Sequence, residues 1–292
     1  MVIVQVTGGL GNQMFQYAAG RSLSARLGCD LFVDRSAYGI TRMHNGFELE
    51  RIFDCPIQYA APDLVRRLLG WQRQAFAQKV LRRAFAAILR KRSLVIEPQF
   101  HYWEGFERID PPAYLVGVWQ TEKYFETISN DIREVFSFPL PLGEENEKIA
   151  GLMAETESVA LHVRRGDYVT NGKASAYHGS CSLAYYERAI RYFCNRYDHP
   201  YFFVFSDDMA WVRQYLDISE RVVYVERNMG DESYKDMQLI SLCKHQIVAN
   251  SSFSWWGAWL NMNPRKEVVA PMRWFAANID DSDMIPSSWI RL

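Results

Sequence analysis

Two adjacent arginines and a carboxylate stand directly after an apolar, strand-like run. In LHVRRGDY, residues 161–168, these are Arg164, Arg165 and Asp167, with His162 just before them. Ligands bind at the carboxyl ends of strands in an open α/β sheet, and a guanidinium donates two parallel hydrogen bonds to phosphate while its charge stays fixed. The pattern therefore indicates a diphosphate that arginines hold without a metal. A surface salt-bridge cluster would bring the same residue types together.

A glycine-rich turn near the N-terminus, TGGLGNQM at residues 7–14, lies between a strand-like and a helix-like run. Glycines let a ligand approach the backbone, and the N–H groups of the following helix point at it. Our candidate donor-binding residues here are Gly9, Leu10, Gly11 and Asn12. The dinucleotide fingerprint fails because Met14 holds the third glycine position, and the turn lacks the lysine of a P-loop. Tight packing is the alternative explanation.

Two further polar turns follow apolar runs in the C-terminal half. In the first, Ser206, Asp207 and Asp208 offer carboxylates that could cap the next helix, bind a metal, or accept the N1–H and N2–H donors of guanine. The second turn precedes a helix, where phosphate binds readily. Its candidate residues are Ser251, Ser252, Phe253 and Ser254. The tryptophans after this turn lie at helical spacing, and we expect them in the core.

The composition bounds the class of protein. The chain has 292 residues, of which 49% are hydrophobic, and its formal net charge of −1 favours no nucleic-acid partner. Its five cysteines are scattered, which argues against a disulfide framework or a zinc site. Neither a signal peptide nor a membrane-spanning run is recognisable. We therefore expect a cytoplasmic protein.

The order of apolar runs predicts two α/β domains, residues 1–143 and 144–292, joined by a linker that starts at Pro139 and includes the charged residues after Gly143. The regular alternation of strands and helices in the second half indicates a parallel, doubly wound sheet. In the N-terminal half we predict strands at Val2–Val6, Asp30–Val33 and Tyr114–Trp119, and helices at Asn12–Leu27 and Thr121–Phe136. In the C-terminal half we predict strands at Val159–Val163, Tyr201–Phe205, Val222–Val225, Gln246–Ala249 and Glu267–Ala270, and helices at Leu183–Arg196, Met209–Leu216, Ser233–Lys244 and Phe253–Asn261.

A basic segment, residues 64–92, contains nine Lys or Arg and no acid. Its apolar residues follow helical periodicity: Phe76, Val80, Leu81, Phe85, Ile88 and Leu89. Basic amphipathic helices commonly lie on anionic membrane surfaces. The pattern is typical either of an ordinary surface helix or of peripheral contact with the inner face of the membrane. A D-x-D sequence at Asp281 and Asp283 lacks a preceding apolar strand, so we assign it to a solvated loop.

Taken together, the segments resemble the bacterial α-1,2-fucosyltransferases of glycosyltransferase family 11, which includes the blood-group H-type enzymes. The matching stretches are GGLGNQMFQYA at 8–18, HVRRGDY at 162–168, FSDD at 205–208 and NSSFSWWGAW at 250–259. They follow the family order and span almost the whole chain. The resemblance implies a GT-B-like fold, in which two Rossmann-like domains face a cleft, and a role in the biosynthesis of O-antigen or other glycans.

The resemblance also implies an activity. L-fucose would be transferred from GDP-β-L-fucose to the 2-hydroxyl of a glycan, with terminal galactose as our expected acceptor, with inversion and without a metal or other cofactor. Carried over by motif, Arg164 and Arg165 would meet the diphosphate, Asp207 or Asp208 the base, and the turn 251–254 the phosphates. The acceptor would be an oligosaccharide or a lipid-linked glycan.

The general base that takes the proton of the attacking hydroxyl is not assigned by the motifs. The candidates are Asp34, His44 and Glu97, while Asp167 is expected to position an arginine. Two alternatives to this function stay open: a fucosyltransferase of another linkage, and a non-catalytic nucleotide- or glycan-binding module on the same fold.

Overall fold

The computed structural model describes residues 1–39, 45–166, 179–219 and 221–292. These residues divide into two units. The first consists of Met1–Ser137 with Ser282–Met284, and the second of Phe138–Asp281 with Ile285–Leu292. Each unit contains its own parallel sheet.

The sheet of the N-terminal unit has four parallel strands in the order β2-β1-β4-β3. Its strands are β1 (Val2–Gln5), β2 (Leu31–Asp34), β3 (Leu94–Ile96) and β4 (Ala113–Val116). Its helices are α1 (Leu10–Leu27), α2 (Leu49–Ile52), α3 (Pro62–Leu69), α4 (Ala75–Leu81) and α5 (Ser129–Val135). Strand β3 was not predicted, since three apolar residues after a basic segment give little periodicity. The helix α1 ends where Gly28 adopts the left-handed conformation, with φ +58°.

The sheet of the C-terminal unit has six parallel strands in the order β10-β9-β8-β5-β6-β7. Its strands are β5 (Ser158–Val163), β6 (Tyr201–Ser206), β7 (Arg221–Val225), β8 (His245–Ile247), β9 (Val268–Ala270) and β10 (Ile290–Arg291). Its helices are α6 (Glu144–Glu155), α7 (Leu183–Arg196), α8 (Met209–Tyr215), α9 (Tyr234–Leu242) and α10 (Ser252–Leu260). From β5 the chain builds outward to β7 and then returns to place β8 on the other side of β5. The strand order therefore reverses between β5 and β8, the point where doubly wound sheets bind ligands.

The expected position of the tryptophans is confirmed. Trp255, Trp256 and Trp259 of α10 are all buried, and the rings of Trp255 and Trp259 stack with centroids 6.1 Å apart. Their side chains stabilise the packing of α10 and leave only the first turn of this helix for contact with a ligand.

Three predicted elements differ in the structure. The charged residues after Gly143 are not a linker but the helix α6, because glutamates fill its first turn and Met153 packs into the core. The single helix predicted over Thr121–Phe136 is two 3-10 turns followed by α5, since Phe125 takes a non-helical conformation with φ −137° and ψ 14°. Strand β4 ends at Val116 because the N–H groups of Val118 and Trp119 bond to the carboxylate of Glu97.

The basic segment is likewise not one amphipathic helix. Gly70, at φ +60°, ends α3, and short 3-10 turns separate and follow the pieces of helix. The Gln72 amide joins the ends of the segment by donating to the Leu89 carbonyl (2.7 Å) and accepting from the Lys91 N–H (3.0 Å). Of the apolar residues with helical spacing, Leu81 is buried and Val80 partly so, whereas the rest are exposed: Phe76, Phe85, Ile88 and Leu89.

One buried carboxylate gives a prediction about stability. Burial raises the pKa of Asp236 to about 7, although a hydrogen bond from the Asn228 amide (2.7 Å) opposes the rise. A carboxyl whose pKa is raised on folding stabilises the folded state at low pH, and this contribution is lost as the pH rises through about 7. The loss begins above the unfolded pKa of about 3.9, so we expect Asp236→Asn to increase the free energy of unfolding by about 2 kcal/mol more at pH 8.5 than at pH 5. Urea unfolding at both pH values tests this. The exposed Asp217→Asn is the control, and an equal effect of Asp236→Asn at both pH values would contradict the assignment.

Candidate functional site

Three of the segments singled out from the sequence follow neighbouring strands of one sheet. Strand β5 pairs with β6 on one side and with β8 on the other, all in parallel register. The carboxyl ends of these strands therefore bring together the arginine pair, the turn 206–208 and the turn 250–254. This place is the point of reversal in the strand order.

Asp207 connects the two arginines. Its Oδ2 lies 2.9 Å from Nη1 of Arg164, and its Oδ1 accepts the backbone N–H of Arg165 at 2.8 Å. A β-carbon at Gly166 would lie 2.7 Å from Oδ2 of Asp207, so a larger residue here would displace this carboxylate. The carboxylate thus fixes both the guanidinium of Arg164 and the backbone that follows it.

The side chain of Arg165 packs differently. Its guanidinium carbon lies 4.0 Å from the centre of the Trp211 ring, in a cation–π arrangement, and its Nε is 3.5 Å from Oδ2 of Asp208. In the described part of the chain this buried Nε has no hydrogen-bond partner. Trp211 was not identified from the sequence. The available signal was its position in the first turn of the helix that follows the two aspartates.

Asp208 caps α8, the helix that carries Trp211. Its Oδ1 accepts the N–H of Trp211 at 3.1 Å, while the hydroxyl of Ser206 accepts the N–H of Asp208 at 2.9 Å. Both aspartates of the turn are therefore hydrogen-bonded within the protein. Recognition of guanine by either of them would use the lone pairs that remain, and it stays a prediction.

The turn before α10 forms the other side of this cluster. Ser251 caps the helix by accepting the N–H of Phe253 (3.3 Å), and the hydroxyl of Ser254 donates to the Ser251 carbonyl (3.4 Å). Asn250 fastens the turn, since its amide donates to the carbonyls of Gly179 (3.0 Å) and Trp274 (3.1 Å). The partly exposed Ser252 begins the helix, whose N-terminal N–H groups and positive dipole end suit an anion.

His162 is buried between these turns. Its ring centre lies 5.9 Å from that of Phe253, and its Nδ1 has no hydrogen-bond partner among the described residues. Burial lowers the pKa of His162 to about 4, with Asp207 acting in the opposite direction and Arg164 adding to the effect. The imidazole is therefore neutral at pH 7, and the positive charge of this cluster comes from the arginines.

In the N-terminal unit, amide side chains hold the glycine-rich turn. Gln13 donates to the Gly8 carbonyl (3.1 Å), which also accepts the hydroxyl of Tyr38 (2.6 Å), and the Asn12 side-chain oxygen accepts the amide of Gln120 (2.6 Å). Leu10 and Gly11 are buried, whereas Gly9 and Asn12 are partly exposed. The structural roles of Gln13 and Gln120 were not recognised from the sequence.

Glu97 follows β3 and holds the turn after β4. Its Oε2 accepts the N–H of Val118 (2.6 Å) and its Oε1 the N–H of Trp119 (2.9 Å). These bonds end β4, and a β-carbon at Gly117 would lie 2.5 Å from the Glu97 side chain. Burial raises the pKa of Glu97 to about 7, while the two backbone donors and Arg82 oppose the rise. The carboxylate therefore exchanges protons near neutral pH.

The other candidates for general base differ from Glu97. Asp34 is buried, with Oδ1 accepting the N–H of Ser36 (2.9 Å) and Oδ2 the hydroxyl of Tyr114 (2.5 Å). His44 and Asp167 lie outside the described residues.

The D-x-D sequence lies in an irregular, partly exposed turn, in agreement with the expected loop, but both of its carboxylates bond to the protein. Oδ2 of Asp281 accepts the N–H of Trp274 at 2.6 Å. Asp283 accepts the N–H of Tyr102 (3.0 Å) and forms an ion pair with Lys123 (2.5 Å). Both carboxylates therefore organise the chain around them. Within residues 1–39, 45–166, 179–219 and 221–292, no three His, Cys, Asp or Glu side chains are grouped as a metal site would require.

Sequence comparison places these features in a family. Residues 68–292 match the profile described as Glycosyl transferase family 11. An alpha-1,2-colitosyltransferase of Escherichia coli is 33% identical over 303 residues, which cover 100% of this chain and 99% of the relative. The O-antigen biosynthesis glycosyltransferase WbnK of Escherichia coli is 32% identical, with 98% and 99% covered. The galactoside alpha-(1,2)-fucosyltransferase 1 of Homo sapiens is 27% identical, with 88% of this chain and 64% of the relative covered.

Structure comparison concerns the fold. The crystal structure of the alpha-1,6-fucosyltransferase NodZ, soaked with GDP-fucose, superposes with a TM-score of 0.50 at 17% identity and covers 89% of this chain and 91% of NodZ. The predicted fold class, α/β of the GT-B type with two Rossmann-like units, is confirmed. No helix in the described parts of the chain is both long and apolar enough to cross a bilayer.

Proposed function

Because the chain belongs to glycosyltransferase family 11, we propose that it is an inverting galactoside α-1,2-fucosyltransferase. It moves L-fucose from GDP-β-L-fucose to the 2-hydroxyl of a terminal galactose on a glycan acceptor, and it needs no metal. The observation that carries this proposal is the meeting of the arginine pair with the N-terminus of α10 at the reversal of the sheet. Both groups favour an anion, and a nucleoside diphosphate fits that chemistry.

We assign the phosphate contact to Arg164. Asp207 orients its guanidinium through Nη1, so the phosphate would meet a fixed, planar donor. Arg165 is more enclosed, and its guanidinium is engaged with the ring of Trp211. In this proposal Arg165 and Trp211 shape the site, and the first turn of α10, from Ser251 to Ser254, completes the phosphate contacts.

The reaction follows from these roles. As the acceptor oxygen attacks the anomeric carbon, the bond to the diphosphate breaks on the opposite face through an oxocarbenium-like transition state. Negative charge grows on the departing diphosphate, and preorganised cations lower the energy of that state most. In this proposal the guanidinium of Arg164, together with the N-terminus of α10, supplies the charge that a divalent ion supplies in other transferases.

For the general base we propose Glu97. Its pKa of about 7 suits a group that takes a proton near neutral pH, and its oxygens accept only one backbone N–H each in the described structure. Asp34 is a weaker candidate because a tyrosine hydroxyl and a backbone N–H already bond to its buried oxygens.

The donor sugar has a second candidate. The relative at 33% identity is a colitosyltransferase, whereas the human relative at 27% identity is a fucosyltransferase. The names of both include the α-1,2 linkage. Colitose is fucose without its 3-hydroxyl, so the two sugars differ by one polar group. A site that hydrogen-bonds this hydroxyl rejects the deoxy sugar strongly. The name of WbnK, an O-antigen biosynthesis glycosyltransferase, supports a glycan acceptor of the O-antigen kind.

A transfer assay tests the proposed function. GDP release is measured with GDP-fucose or GDP-colitose as the donor and lactose, N-acetyllactosamine or the type 1 disaccharide as the acceptor, with and without EDTA. NMR of the product identifies the linkage. We expect an α-1,2-fucosylated galactoside at an unchanged rate in EDTA. A product with a different linkage would contradict the α-1,2 assignment, and a preference for GDP-colitose would contradict fucose as the donor sugar. The absence of turnover with every donor and acceptor would contradict the activity itself.

Guanine recognition gives a separate prediction. We expect GDP to inhibit transfer at least tenfold better than UDP or ADP, because a carboxylate of Asp207 or Asp208 can accept both N1–H and N2–H of guanine. Inhibition constants for the three nucleotides measure this preference. Equal constants would mean that the diphosphate alone is recognised.

A further inference from the structure

The outward side of the basic segment, residues 64–92, combines exposed apolar side chains with positive charge. Eleven large apolar side chains are exposed in the described parts of the chain, and five of them lie between residues 71 and 89. They are Trp71, Phe76, Phe85, Ile88 and Leu89. Ile88 is 90% exposed and Phe76 77%. Soluble proteins seldom leave such a concentration of apolar residues in water unless it binds something.

The exposed residues belong to a segment that is otherwise anchored. Val65, Leu69, Leu81 and Ala86 of the same segment are buried against Ile3 of β1 and its neighbours. The Gln72 amide bonds described above hold the ends of the segment together. The outward apolar residues are therefore presented by a folded support.

The charges around these residues have one sign. Eight of the nine Lys and Arg are exposed, and the segment contains no acid. Asp63, just before the segment, forms an ion pair with Arg66 at 3.0 Å. A symmetric contact with a second copy would oppose these charges to one another, which is unfavourable. A partner that is anionic and also accepts apolar side chains would fit both the positive charge and the exposed apolar residues.

We propose that this side of residues 64–92 binds the surface of an anionic lipid bilayer. The apolar side chains enter the boundary between headgroups and acyl chains, and the basic side chains contact the anionic headgroups. The docking does not depend on the proposed activity. If that activity is correct, docking brings the enzyme to lipid-linked acceptors.

Co-sedimentation of the full chain with vesicles tests the proposal without any sugar substrate. The vesicles contain phosphatidylcholine with about 30% phosphatidylglycerol, or phosphatidylcholine alone. We expect binding to the anionic vesicles and a loss of roughly tenfold or more in the double variant Phe85→Ser/Ile88→Ser and in the triple variant Arg67→Gln/Arg73→Gln/Lys79→Gln. Met262→Ser/Met272→Ser, which changes exposed apolar residues of the other unit, should bind like the wild type.

Several results would overturn the proposal. They are the absence of binding by the wild type, equal binding to neutral vesicles, and unchanged binding of both variants. Sedimentation velocity tests whether a second copy of the chain covers this surface instead. If the wild type is a dimer that does not bind vesicles, and Phe85→Ser/Ile88→Ser dissociates it, the surface is an interface between two copies. Thermal melting shows that the variants are folded, and we expect melting points close to the wild type because the changed side chains are exposed.

Discussion

Arg164→Ala is expected to lower kcat/KM for fucosyl transfer by about 10³-fold, since removing one preorganised donor to a developing negative charge has effects of roughly 10²–10³. The wild-type guanidinium is held by Asp207 at 2.9 Å, so it reaches the transition state already oriented. Arg164→Lys keeps the charge but loses the planar pair of donors, and we expect a rate between those of the wild type and the alanine variant. Initial rates of GDP release at saturating acceptor measure the effect.

The controls separate catalysis from folding. Arg188→Ala removes an exposed arginine of α7 in the same unit and should retain full activity. Trp211→Ala and Arg165→Ala should lower kcat/KM by similar factors, because their side chains pack together, and both factors should be smaller than that of Arg164→Ala. Near-normal turnover in folded Arg164→Ala would disprove the phosphate contact that we assign to this residue.

The second substitution for which we expect a large effect on catalysis is Glu97→Gln. We expect kcat to fall by about 10²–10⁴-fold, since an amide cannot take the proton of the attacking hydroxyl. The base acts only when ionised, so kcat of the wild type should rise as the pH increases toward about 7, the pKa of Glu97, and then level off. The variant should lose this limb of the pH–rate profile while still binding GDP.

A purely structural role of Glu97 predicts other results. The side-chain amide that Glu97→Gln introduces can still accept one of the two backbone N–H groups, so the turn after β4 loses at least one bond. If Glu97 only holds this turn, the melting temperature falls while the pH–rate profile keeps its shape. Asp34→Asn serves as the comparison, because it changes a carboxyl group at the end of β2, on the other edge of the same sheet, that we do not assign to proton transfer.

The sequence could predict the strand-end turns because each follows a short apolar run. It could not predict that Asp207 would fix both arginines, since this contact depends on the pairing of β5 with β6. Trp211 was missed for the same reason: its contact with Arg165 joins different strand–helix units. Glu97 was identified as a candidate, but the N–H groups of Val118 and Trp119 that it binds lie on another strand end.

Periodicity misled most where the chain is not regularly helical. The apolar residues of the basic segment repeat as in a helix, but Gly70 and the 3-10 turns rotate them away from one common face. Phe85 and Ile88 are therefore exposed while Leu81 is buried. The error concerns the single helix, because the exposure of each residue depends on where each short piece packs against the sheet.

The return of the chain to place β8 beside β5 has a consequence for biosynthesis. Arg164 and Ser251 follow neighbouring strands only after the whole stretch between them has left the ribosome and β8 has joined the sheet. A nascent chain that stops before Asn250 therefore lacks half of the proposed phosphate contacts. A ligand that binds only the folded state stabilises that state. Nucleotide present during synthesis would therefore stabilise the C-terminal unit only after β8 has joined the sheet, and not the partly translated forms.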